Sequence, residues 1–261
     1  MVGGATSLLT LLTRRRLAAL GVVAAILAAY FAGHESLPNF SVWWDVAFIA
    51  VVVIPLCFAP VWILLPLHTW RWRWLATLVC VVLAVVFSVI GWEGPASFAK
   101  LGAATFAGWL FLDFFEEASW VVVVSLIIPW VDAYSVWRGP THTIVHHHAG
   151  VFEHLSFAFP VPGESGTANL GIPDMLFFAL FLAATDRFRL RTAWTWVLMT
   201  ASFGATIAVA VWLDLGGLPA LPLLSLAFLL ANGDLLWREV RRSLRHSDAQ
   251  KAAQRPSRSP E

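Results

Sequence analysis

The chain has 261 residues, 59% of them hydrophobic and 13% charged, with a net charge of +1 and a mean hydropathy of +0.75. A soluble domain of this length has too little interior to hide that much apolar surface, so the composition excludes a soluble globular protein and points to the bilayer. The near-neutral charge gives no basis for a nucleic-acid partner, and two cysteines, Cys57 and Cys80, make neither a disulfide framework nor a metal cluster.

Apolar runs long enough to cross a hydrocarbon layer of ~30 Å as helices predict an all-α, polytopic transmembrane bundle of about eight spans, within a range of seven to nine: 17–33, 42–66, 74–92, 98–112, 119–137, 170–187, 192–213 and 217–236. The first follows Arg14–Arg16 and has no small-residue cleavage site behind it, so it reads as a retained anchor. Trp43, Trp44, Trp70, Trp72, Trp74, Trp92, Trp137 and Trp237 fall near span ends, as an interfacial aromatic belt does. Asp45, Asp186, Asp214 and Asp234 also lie near ends, where water and headgroups satisfy carboxylates; Asp234 has Arg238 at i+4.

Between the fifth and sixth spans runs the one long connection, roughly Arg138–Asn169, with His142, His146, His147, His148 and His154, then Pro160, Pro162, Gly163 and Gly166. His142 and His146 have helical i, i+4 spacing, but Glu153 is the sole carboxylate nearby, so a solvated or membrane-surface loop is the better reading and no metal is expected. In the seventh span Ala201, Gly204, Ala205 and Ala208 form a small-residue face for close helix packing. Residues 1–237 read as one membrane domain and 238–261 as a basic, disordered cytoplasmic tail attracted to anionic lipid. With the N-terminus inside, 15 of the 17 Lys and Arg share the inner side, leaving Lys100 and Arg138 outside. The positive-inside rule then puts both termini in the cytoplasm, and a prokaryotic-type plasma membrane is expected.

Two acids stand inside consecutive spans: Asp132 in SLIIPWVDAYSVW and Asp174 in NLGIPDMLFFALFLAA. A carboxylate in hydrocarbon costs several kcal/mol, so intramembrane acids face the bundle interior or water and mark function. Asp132 lies about 9 Å before Arg138 and Asp174 about 6 Å after Leu170, at ~1.5 Å per residue. The spans run antiparallel, so the two carboxyls come to one level. Two neighbouring carboxyls titrate as a pair, one drawing a proton from water while the other protonates a carbonyl. A proton or cation relay, or a structural carboxylate bonded to backbone, fits the same placement. The last span opens GGLPALPLLSL, where Pro219 and Pro222 disturb the helix near the same level; Pro173 directly precedes Asp174.

At these residues the chain resembles the presenilin and signal-peptide-peptidase family of intramembrane aspartyl proteases. That family has an aspartate in one span, Gly-x-Gly-Asp in the next and Pro-Ala-Leu opening the last. Asp132–Pro140, Leu170–Asp174 with Gly171, and Pro219-Ala220-Leu221 follow that order, over roughly Trp130 to Leu226. Val131 and Pro173 stand where the family commonly has a tyrosine and the second glycine, and Tyr134 is close by. The resemblance implies an endopeptidase that cleaves transmembrane helices or signal-peptide-like anchors, with Asp132 and Asp174 as the catalytic pair. It further implies that Gly171, Pro173, Pro219, Ala220, Leu221 and Tyr134 shape the substrate site, with no cofactor. Its partners would be transmembrane protein or peptide substrates and membrane lipids. The alternatives are a proton- or ion-coupled transporter that uses Asp132 and Asp174 as a relay, and a catalytically inert relative that binds helices.

Overall fold

The computed structural model describes residues 12–138, 156–215 and 218–253. Each predicted apolar run forms a helix. These are α1 (Arg14–Gly33), α2 (Val42–Ile63), α3 (Arg73–Ile90), α4 (Glu93–Phe111), α5 (Ala118–Arg138), α6 (Ile172–Arg187), α7 (Thr192–Trp212) and α8 (Leu221–Ala253). Local chemistry sets the ends. The Thr13 hydroxyl caps α1 by accepting from the Arg16 amide, and α3 stops at Gly91, whose φ of 81° needs glycine. Within α2, Ile49–Val53 is π-helical; Pro55 lies just beyond and has no amide to give the preceding turn.

Six of the helices are long and apolar enough to cross a membrane: α1, α2, α3, α5, α7 and the Leu221–Glu239 part of α8. The protein is an integral membrane protein. Against the eight expected spans, α4 and α6 fall short of that measure, and the reason lies in their position. The sixth helix is the centre of the bundle, with every residue from Phe178 to Thr185 at 0% exposure. A helix walled in on all sides needs no lipid-facing surface, so 16 residues suffice. The fourth packs along it through Gly108, where a Cβ would lie 2.5 Å from the Leu176 carbonyl oxygen. Its small and polar residues serve backbone approach rather than lipid contact. It begins at Glu93, five residues before the predicted 98, because Pro95 falls in the first turn, where the missing amide has no partner to lose.

Around that centre, α4 carries α3 on its outer side, α7 packs on α2 and α8, and α5 lies chiefly against α8. The outer helices present apolar side chains such as Val89 and Leu230 outward, with Trp43, Trp44, Trp74 and Trp92 exposed near helix ends. Gly204 touches Ala50 of the π-helical stretch, as a small-residue face requires, whereas Ala201 and Ala205 are exposed. One feature was not foreseen from hydropathy. The connection before α6 holds an antiparallel hairpin, β1 (Ser156–Pro160) and β2 (Thr167–Gly171), with Ser156 opposite Gly171 and Pro160 opposite Thr167. The last helix continues to Ala253, through the first part of the segment expected to be a disordered tail. His142, His146, His147, His148 and His154 lie outside the described residues.

Candidate functional site

The hairpin positions the first acid. Its second strand ends at Gly171, which is also the N-cap of α6, so the chain passes from strand to helix within one residue. Pro173 occupies the first turn, where its ring suits the helix and no amide is lost. Asp174 follows at the third helical position. From there its side chain reaches back and accepts the Gly171 amide, the return half of a capping box. A Cβ on Gly171 would stand 3.1 Å from the Asp174 Oδ2, so glycine keeps that carboxyl unobstructed.

The second acid comes from α5. Asp132 is partly buried, and its Oδ2 accepts the backbone amide of Leu221 at 3.1 Å. Leu221 is the first residue of α8, and Ala220 and Leu221 are buried, with Pro219 half-buried ahead of them. An aspartate on one helix therefore caps the N-terminus of another. The Asp132 and Asp174 carboxyls lie within electrostatic reach of each other. Two helix N-termini, those of α6 and α8, converge on the pair and supply the partial positive charge that a cation supplies elsewhere. Among the described residues, no Lys, Arg or His pairs with either acid.

Of the residues singled out from the sequence, Asp132, Asp174, Gly171, Pro173, Ala220 and Leu221 thus gather at this place, with Pro219 at its edge. Tyr134 does not join them. It stands two residues beyond Asp132, about 200° around the helix at ~3.6 residues per turn, and is 66% exposed.

The hairpin is itself anchored from two sides. The Tyr30 hydroxyl donates to the Pro160 carbonyl, and the Gly163 amide donates to the His34 carbonyl at 2.8 Å. From α4 the Lys100 ammonium donates to the Ser156 carbonyl at 3.0 Å. Beneath it, between α1, α2 and α4, lies a partly open cavity of about 820 Å3, whose walls include Leu20, Ala28, Pro60, Leu101 and Phe106. Neither hairpin nor cavity was legible in the hydropathy, because both depend on residues distant in sequence. Lys100 was the available signal, a cation inside an apolar run.

The remaining span-end acids divide. Asp234 pairs not with Arg238 but with Arg191, through two bonds of 2.7 Å. Asp186 faces His68 at 3.7 Å. Asp113, in the turn Leu112–Phe114 that follows α4, contacts Arg73 and Arg187. Asp45 departs from the expectation of solvation: it is buried, and its Oδ1 has no hydrogen-bond partner among the described residues. Comparison with family models, curated proteins and solved structures gave no match.

Proposed function

We propose that this protein is an intramembrane aspartyl endopeptidase of the presenilin and signal-peptide-peptidase type, with Asp132 and Asp174 as its catalytic pair. The observation that carries the reading is that these two carboxyls lie within electrostatic reach of each other at the N-termini of α6 and α8, with no cation paired to either among the described residues. A structural carboxylate in a bilayer is most cheaply satisfied by a cation or by burial against several donors. Two acids brought together with one backbone amide each instead retain lone pairs for water.

In this reaction a water between the carboxyls attacks the scissile carbonyl carbon. One carboxylate takes the water's proton while the other acid protonates the carbonyl oxygen, giving a tetrahedral gem-diol. Collapse of that intermediate breaks the C–N bond, and a carboxyl proton passes to the departing amine, so the pair returns to its starting charge. A peptide bond within a helix is shielded by its own hydrogen bonds, and the substrate must unwind locally to react. The β2 strand, which runs into Gly171 and Asp174 and has Thr167 and Asn169 exposed, offers the backbone groups of its unpaired edge to an unwound segment. The apolar cavity beside the hairpin offers the still-helical part a place to lie.

The orientation proposed with this function places the hairpin outside and both termini in the cytoplasm of a prokaryotic-type plasma membrane. Substrates would then present a cytoplasmic N-terminus.

The direct test is to reconstitute the purified protein with an apolar helical reporter and to follow cleavage with and without a hydroxyl-bearing transition-state isostere. Cleavage near the hairpin-side end of the reporter, blocked by the isostere, is the expected result. An intact reporter together with no labelling by a photoreactive isostere overturns the reading, and pH-gradient-driven flux in the same vesicles would establish the relay instead.

A further inference from the structure

The cavity is not uniform along its length. Its deep walls are apolar, with Leu20, Ala24 and Leu27 on one side and Leu101 and Phe106 on the other. At the hairpin end the lining changes to His34, Glu35 and Glu93. Glu35 sits in the turn His34–Ser36 that ends α1, and Glu93 opens α4. Among the described residues no Lys or Arg lines the cavity. Lys100 lies within electrostatic reach of Glu93, but its ammonium is tied to the Ser156 carbonyl. The hairpin adds the exposed Glu164 beside the lining residue Ser165. With Glu35, Glu93 and Glu164 all exposed there, such a mouth attracts positive charge.

Size narrows the occupant. From Leu20 to His34 the cavity follows α1 for about 21 Å at ~1.5 Å per residue. An apolar groove of that length, open along one side, seats a helical segment against α1 and α4 and leaves its other face to lipid. A second observation points to a ligand. Thr105 lines the cavity at 3% exposure, and its hydroxyl has no hydrogen-bond partner among the described residues. It lies twelve residues along α4 from Glu93, about 18 Å at the same rise.

We infer that this groove selects apolar helical segments bearing a lysine or arginine at the hairpin-side flank, which Glu35 and Glu93 pair with, and a small polar residue about 18 Å deeper that meets Thr105. This gives the substrate class of the site proposed above and rests on that proposal for the step that follows docking. The pairing is a specificity device: a neutral flank leaves the glutamates solvated, and an acidic flank is repelled.

Binding separates the two claims. Three leucine–alanine helical peptides, ending in Lys-Lys, Gln-Gln or Glu-Glu at the hairpin-side flank, are titrated onto the full-length protein in phosphatidylcholine nanodiscs at low salt. Each carries a photocrosslinker. The Lys-Lys peptide is expected to bind about fivefold more tightly than Gln-Gln, to crosslink to α1 and α4, and to lose that advantage in E35Q/E93Q. In E35K/E93K the order reverses in favour of Glu-Glu. Equal affinities, a preference untouched by E35Q/E93Q, or a groove crosslinker that labels phosphatidylcholine and never peptide would each overturn the inference. Selective binding without cleavage would leave the inference standing and remove the protease; cleavage indifferent to the flank would do the opposite.

Discussion

The two ends of the bundle handle charge in opposite ways. At the end away from the hairpin, carboxylates meet basic side chains: Asp113 contacts Arg73 and Arg187, Asp234 is held bidentately by Arg191, and Asp186 faces the His68 imidazole. Arg187 and Arg191 also donate to the Leu112 and Ala231 carbonyls, which ties the loops between helices together. At the hairpin end, Asp132 and Asp174 meet backbone amides and each other. The first arrangement ties its acids to basic side chains from neighbouring helices and fixes helix ends in register. The second leaves hydrogen-bonding capacity free at the start of α6 and α8. Charges closed by cations hold a fold; charges left open among helix N-termini are available for chemistry.

The contrast breaks most sharply at the acids themselves. Asp132→Ala and Asp174→Ala are each expected to lower reporter cleavage by about a thousandfold while leaving the folded bundle in place, as measured by cleavage rate and thermal melting on the same preparation. Retained cleavage in either variant ends the pairing, and collapse of both would make the hairpin end as structural as its opposite. Next in size is Asn232, fully buried near the other end and bonded to the Thr195 hydroxyl, the Arg191 amide and the Phe228 carbonyl. Asn232→Ala should cost about 1–3 kcal/mol of stability by stripping those partners, seen as a lower unfolding midpoint, with cleavage by the surviving folded protein unchanged. A large loss of specific activity there would show the two ends to be coupled. The smallest effect sharpens the site: Gly171→Ala places a methyl 3.1 Å from the Asp174 Oδ2. It should lower kcat about tenfold, a displacement effect, with melting unaltered; an unchanged kcat would remove Gly171 from the site.

Legibility in the sequence followed the range of the interaction. Where a feature is written in consecutive residues, as with Gly171-Ile172-Pro173-Asp174, the motif and its acid were legible, whereas the strand end and N-cap at Gly171 and the returning carboxylate depend on a hairpin that hydropathy does not show. Equal depth in antiparallel spans sufficed to bring Asp132 and Asp174 to one level. The bond from the Leu221 amide was not legible, because it crosses 89 positions between helices that hydropathy treats as independent. Tyr134 shows the converse. It is near Asp132 in sequence, yet helical rotation carries it to the exposed side. For Asp234, i+4 spacing offered Arg238, while packing of α7 on α8 brought a planar guanidinium into bidentate register and prevailed.

What the sequence determined by itself is therefore the membrane as solvent, the positions of the helices, and the two acids that a bilayer would reject without a reason. Each follows from the free energy of transferring a residue or its neighbours into hydrocarbon, which composition and order suffice to evaluate. Tertiary structure alone decided that α6 is the enclosed centre, that a hairpin stands over an acid-mouthed groove, and that two helix N-termini rather than cations receive the carboxyl pair. Those outcomes depend on which surfaces exclude one another from lipid, and that is a property of the packed bundle rather than of any one span.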